Sequence, residues 1–227
     1  MDIRSAKIIL GSASPRRKKL LEELGWNIEV RVKSTSEAIP ANLKREQVAI
    51  HLAEKKAVAF DGTLASNELL ITADTIVCLH DDILNKPADE NEATQMLLSL
   101  SGTCHQVYTG VCLTMNNRRQ CFFDESTVHF QTLNENDIIK YIQEFHPYDK
   151  AGSYGAQECL PEGMNPCSNA EQEFMIKTGL PDYLKATLDM SDKKHIPIIK
   201  QIQGSFFNVM GLPVAKLHEQ VENFIKI

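Results

Sequence analysis

The spacing of apolar positions divides the chain into alternating strands and helices. Ile8, Ile9 and Leu10 form a short apolar run that reads as a buried strand. Residues 11–14 then supply a small-residue turn, and Pro15 suits the first turn of a helix, where its missing N–H costs nothing. Leu20, Leu21 and Leu24 continue at helical spacing. WNIEVRV (26–32) alternates as a second strand. Between Lys44 and Phe60 the apolar residues Val48, Leu52, Ala53, Ala57 and Phe60 predict a helix that Asp61-Gly62 stops. LLITADTIVCL (69–79) is apolar on both sides of Asp74, which predicts two strand segments with a break at the carboxylate. A hairpin tip comes next at 80–82, with a return through Ile83 and Leu84.

Farther along, Asp89 with Glu92 three residues later marks the start of a helix that ends at Ser101-Gly102. Residues 105–115 and 121–130 predict an antiparallel pair turning at Asn116-Asn117. Thr109-Gly110 within the first of these marks a bulge or a close approach of a ligand. Asn134 to Phe145 reads as another capped helix. Prolines at 161, 166, 181 and 197 interrupt the pattern from Cys159 to Gln203, leaving short helical pieces at 171–178 and 182–190. GSFFNVM (204–210) then resumes strand character, and GLP leads into a closing helix at 214–225.

At 227 residues the chain supports one sizeable core or two lobes. A net charge of −6 argues against general binding to nucleic acid or to a membrane surface, so an anion site must be local. No apolar run reaches the length of a bilayer span, and MDIRSAKIIL lacks the apolar core of a signal peptide; cytoplasmic residence is the default expectation. Six scattered cysteines without CxxC spacing read as reduced thiols, several of them small core residues on strands.

Against that background a few polar residues stand out. Arg16 and Arg17 fall where a strand ends and a helix begins, a place with free backbone N–H groups and a positive helix end; the pairing suits phosphate. Taken alone, the stretch is equally compatible with a turn carrying two solvated arginines. Asp74 interrupts an apolar run, and an ionised carboxylate there costs several kcal/mol unless it is paired, hydrogen-bonded or metal-bound. Glu37 is a lone loop carboxylate, and Lys55 and Lys56 close a helix where cations complement the dipole. Lys86 is held extended by the proline after it. In YDKAGSYGAQE (148–158) two glycines accompany Asp149, Lys150, Gln157 and Glu158, a composition suited to lining a pocket. The amide of Gln157, both donor and acceptor, suits a base edge.

SASPRR, the lysine before alanine in EKKA, TADT, NKP, SGTCHQVYTGV, DKAGSYGAQE and GSFFNVMGLP resemble, in order, the blocks of the Maf family of nucleoside triphosphate pyrophosphatases. The resemblance covers nearly the whole chain from Ile8, apart from the segment after Cys159. It implies an α/β fold like that of the inosine triphosphate pyrophosphatases: an elongated mixed β-sheet flanked by helices, two lobes and a central cleft, in a single domain over 1–227 that forms a homodimer. It implies hydrolysis of a nucleoside triphosphate to monophosphate and pyrophosphate with a divalent cation, Mg²⁺ or Mn²⁺. Carried over by motif, Asp74 is the catalytic carboxylate, acting as proton acceptor or as metal ligand together with Glu37. Ser14, Arg16, Arg17, Lys56 and Lys86 surround the triphosphate, with Arg17 and Lys86 counted among the catalytic groups. Arg16, Thr75 and Gln157 resemble the branch that acts on dTTP and UTP.

Two departures accompany the resemblance. Ser36 stands where the family usually has a second acidic residue before Glu37, and 46 residues separate Gln157 from Gly204, where the family link is much shorter. The excess, at about 160–200, reads as a surface insertion, since loops tolerate length cheaply. Two other functions compete with the pyrimidine reading. One is a pyrophosphatase for a modified purine nucleotide such as 7-methyl-GTP. The other is a nucleotide-binding regulator of septum formation with incidental turnover.

Overall fold

A computed structural model describes residues 6–180, 182–183 and 196–226. Among the described residues seven strands form one mixed sheet in the order β2-β1-β3-β5-β6-β7, with β4 paired to β3 off this path. The strands are β1 (Lys7–Leu10), β2 (Ile28–Val30), β3 (Glu68–Leu79), β4 (Asp82–Leu84), β5 (Cys104–Met115), β6 (Arg118–Phe130) and β7 (Ile199–Gly204). Both neighbours of β1 run parallel to it, and every other pairing is antiparallel. Helices α1 (Pro15–Glu23), α2 (Glu46–Val58), α3 (Glu90–Leu100), α4 (Glu135–Phe145), α5 (Asn169–Thr178), α6 (Phe206–Met210) and α7 (Val214–Lys226) flank it. The expected mixed α/β sheet with flanking helices is the observed one. No helix among the described residues is long and apolar enough to cross a membrane.

Local signals account for many of these elements. Asp89 Oδ1 accepts the Glu92 amide while Glu92 Oε2 accepts the Ala88 amide, so the start of α3 is held from both sides. Asn116 and Asn117 both have positive φ, 49° and 60°, the conformation a two-residue hairpin turn demands. Ser168 and Glu171 close a capping box on α5. Beyond Asp182 and Tyr183, the helix expected at 182–190 lies outside the described residues.

Three expectations are corrected. First, β3 runs unbroken through Asp74. The backbone stays in the ladder because β5 pairs with it continuously from Leu70 to Cys78, so the polar side chain is accommodated without a break. Second, GSFFNVM is mostly helix: β7 ends at Gly204, Ser205 caps α6 with its hydroxyl on the Asn208 amide, and Gly211 ends it at φ 113°. An apolar run of this length does not distinguish a buried strand from a buried helix. Third, Thr109-Gly110 is neither bulge nor ligand contact. The register is regular there, and a Cβ on Gly110 would stand 2.2 Å from the Ala49 carbonyl oxygen of α2.

Gly110 is one of two points at which α2 is seated directly on the sheet. At the other, on β3, the Thr72 hydroxyl donates to the Ala53 carbonyl at 2.7 Å. Gly110→Ala is therefore expected to lower stability by about 3 kcal/mol or more, because neither backbone can yield without breaking the ladder or the helix. Urea unfolding measures this. An unchanged midpoint would mean that α2 does not sit where it is placed.

Candidate active site

The sheet leaves one edge of β3 open near its middle. β1 pairs with β3 only from Glu68 to Ile71, and β4 only from Val77 to Leu79. Residues 72–76 thus have a ladder partner, β5, on one side only. Here the chain leaves β1 through 11–14 into α1. Side chains alternate along β3, so Thr72, Asp74 and Ile76 face α2 while Ala73, Thr75 and Val77 face the opposite layer. At the open edge both faces reach the same cleft, a space of about 900 Å³. Ser14, Arg16, Arg17, Glu37, Lys56, Asp74, Thr75, Lys86 and Gln157 all line it. Every residue that the sequence resemblance assigns to the site therefore comes together in one place.

On the α2 side, Asp74 and Lys56 form a close ion pair through Asp74 Oδ1, with side chains only 15% and 20% exposed. Lys56 Nζ also lies 4.0 Å from Glu37 Oε1, a carboxylate 68% exposed on its loop. One ammonium thus stands between the two carboxylates. This answers the cost of placing Asp74 in an apolar strand, since its charge is paired where burial would otherwise penalise it. Asp74 and Glu37 are hard oxygen donors on the cleft wall, suited to a cation that completes its shell with water and phosphate oxygens. No cluster of three or more metal-ligating side chains occurs among the described residues.

On the other side, Arg17 departs from a free phosphate clamp. It is buried, and its guanidinium donates through Nε to Gly211 O (2.8 Å), through Nη1 to Ser12 Oγ (3.1 Å) and through Nη2 to Thr75 Oγ1 (3.0 Å). Three of its five N–H groups are therefore committed to the protein, and two remain. Burial pushes its pKa down, the facing Asp74 charge opposes that shift, and the neighbouring Arg16 adds to it. Thr75 is equally engaged, sharing a hydrogen bond with Thr109 Oγ1 at 2.9 Å. Arg16 remains half-exposed, 3.5 Å from Asp149. Asp149 in turn accepts from Lys150 at 3.0 Å. Burial raises the Asp149 carboxyl, but the hydrogen bond and charge of Lys150, with the charge of Arg16, outweigh it and hold its pKa below the ordinary value. Lys86 is exposed at the mouth and makes no ion pair among the described residues. It is an available cation.

Sequence reasoning missed the layer behind Arg17. Ser12, Thr109 and Gly211 anchor the guanidinium–threonine pair, and the Thr109 hydroxyl also donates to Asn208 O at 3.0 Å. Gly211 terminates α6, and the start of α6 rests on Glu171. That carboxylate, 1% exposed, accepts from the Phe206 and Phe207 amides and from the hydroxyls of Ser205 and Ser168. Glu171 belongs to the stretch read as a surface insertion, yet it holds the helix that ends at the Arg17 anchor. No local pattern announces such a partner, 34 residues away from Ser205. Glu171→Ala is expected to cost about 3 kcal/mol, because the buried amides lose their acceptor, and Glu171→Gln less. Chemical denaturation of the two variants checks this. Equal midpoints for the parent and Glu171→Ala would contradict it.

Comparison with known proteins places this cleft in a family. The model of the Maf-like protein family matches residues 7–162. Proteins named dTTP/UTP pyrophosphatase are similar over almost the full length. That of Parabacteroides distasonis is 38% identical over 224 residues, 98% of each chain. The Flavobacterium johnsoniae protein is 36% identical over 98% of this chain and 97% of its own. The Porphyromonas gingivalis protein is 38% identical over 98% and 96% respectively. Among solved structures, the Staphylococcus aureus Ham1 protein is 14% identical over 55% of this chain and 71% of its own, with a TM-score of 0.38.

Proposed function

This chain belongs to the Maf family, and on that footing we propose that its cleft hydrolyses dTTP and UTP to the monophosphate and pyrophosphate. One observation carries the reading: a paired carboxylate, three flanking cations and an unsatisfied amide share a single cleft. The names of the relatives support the substrate class.

Attack of water on the α-phosphorus moves charge onto the phosphoryl oxygens and the departing pyrophosphate. Asp74 is the group placed to orient the water and take its proton, with Lys56 holding the carboxylate in position and keeping it ionised. Lys86, Arg16 and the two spare N–H groups of Arg17 meet the phosphate oxygens, and the N-terminus of α1 adds its positive end. Asp74 and Glu37 would hold a divalent cation, Mg²⁺ or Mn²⁺, which when bound neutralises phosphate charge. Arg17 acts on the substrate partly through Thr75, whose hydroxyl it fixes.

Gln157 supports the pyrimidine assignment. Its Oε1 is buried with no hydrogen-bond partner among the described residues. A buried acceptor without a donor is costly, and the imide N–H of uracil or thymine supplies one. Cytosine has no N–H at that ring position.

The test is pyrophosphate release from each common nucleoside triphosphate, from 7-methyl-GTP and from 5-methyl-UTP, with Mg²⁺, Mn²⁺ or chelator. dTTP and UTP are expected to exceed the purine nucleotides in kcat/KM by about 10-fold or more, the discrimination a buried hydrogen-bonding amide provides. Chelator is expected to abolish release. A purine preference would overturn the substrate assignment. Turnover of none of these nucleotides would favour the regulator reading.

A further inference from the structure

On the α2 side of the sheet, two cysteines face each other. Cys112 of β5 and Cys121 of β6 are direct partners in the antiparallel register, and their sulfurs share a hydrogen bond at 2.8 Å. Directly opposed residues of such a pair have Cα atoms about 4.5–5.5 Å apart, within the span that a disulfide bridges. Cys112 is fully buried in a small cluster with Ala53, Ala57, Phe60 and Leu70, and Cys121 packs at its margin, half-buried. Ala53 and Ala57 flank Lys56 on α2, and Cys112 stands one residue along the same face from Gly110, the seat of that helix.

We propose that Cys112 and Cys121 form an oxidisable dithiol, a modification site at which a small hydroperoxide converts the facing thiols into a cross-strand disulfide beneath α2. Cys121, the more accessible of the two, is the attacking group. Its pKa lies below the ordinary thiol value, chiefly through the hydrogen bond from Cys112, with Arg119 adding a smaller contribution. Its thiolate attacks the peroxide oxygen: an S–O bond forms, the O–O bond breaks, and the departing oxygen leaves as water or an alcohol after taking up a proton. Cys112 then attacks the sulfenic sulfur: the S–S bond forms, the S–O bond breaks, and water leaves. Two thiols are oxidised by two electrons, and one peroxide is reduced. The remaining cysteines have no such neighbour: Cys104 is exposed and alone on its strand, and Cys78, Cys159 and Cys167 are buried.

The experiment treats the full chain with hydrogen peroxide and counts thiols after denaturation, with peptide mapping of the linked residues. The count is expected to fall from six thiols to four, with a Cys112–Cys121 peptide recovered and reversed by dithiothreitol. Cys121→Ser and Cys112→Ala, each with five thiols, are expected to form no intramolecular link. Two variants at differently buried positions guard against one failing to fold. Over-oxidation of Cys121 with Cys112 left reduced, a link through Cys104, or an unchanged count of six would each overturn the proposal. Nucleotide turnover is not the readout, so failure of the substrate assignment leaves this result independent.

Discussion

Asp74→Asn is expected to lower kcat by about 10³-fold while leaving nucleotide binding intact, since a positioned base is worth roughly 10²–10⁴ and its charge also holds Lys56. The amide is isosteric, so the strand, paired with β5 on one side and open on the other, is undisturbed. The change removes one negative charge facing the triphosphate. Affinity for a non-hydrolysable analogue is therefore expected to stay equal or to rise. Pyrophosphate release together with calorimetric titration separates the two effects. Full turnover in the variant would remove Asp74 from the mechanism. Loss of binding with kcat intact would make it a binding group instead.

Arg17→Lys is the second large effect, and it reaches stability as well as turnover. A lysine ammonium has no planar fork, so it cannot serve Gly211 O, Ser12 Oγ and Thr75 Oγ1 together. The hydroxyls can turn to other partners, but the Gly211 carbonyl loses its donor. The expected cost is about 2–4 kcal/mol, with a fall in Tm of roughly 5–12 °C for a chain of this size. Turnover drops with it, because Thr75 and the end of α6 lose their common anchor. Arg16→Lys, at a half-exposed site 3.5 Å from Asp149, makes the internal control: Tm holds and only substrate kinetics change. Scanning calorimetry on both variants decides between a buried anchor and a solvated clamp. Equal Tm values would favour the clamp.

Legibility of the site differs residue by residue. Asp74 is visible in the sequence because a carboxylate in an apolar run is anomalous by itself. Its partner Lys56 is not, since a lysine late in a helix is ordinary. The two meet only because Gly110 and Thr72 let α2 settle onto the sheet. Arg17 is visible as chemistry at a strand–helix junction, but its commitment to Gly211, 194 positions away, is not. Glu171 is invisible for the same reason.

Periodicity and caps alone determine one set of features: α3 with Asp89, α4 with Asn134, the hairpin at Asn116-Asn117, and the motif residues that share chemistry with a known family. These depend on neighbours within a few positions, so local spacing suffices. Tertiary packing decides that β3 stays unbroken, that residues 206–210 coil into a helix, and that both faces of the sheet open onto one cleft. Each of these depends on pairing and burial between distant segments, where a long-range partner outweighs local preference.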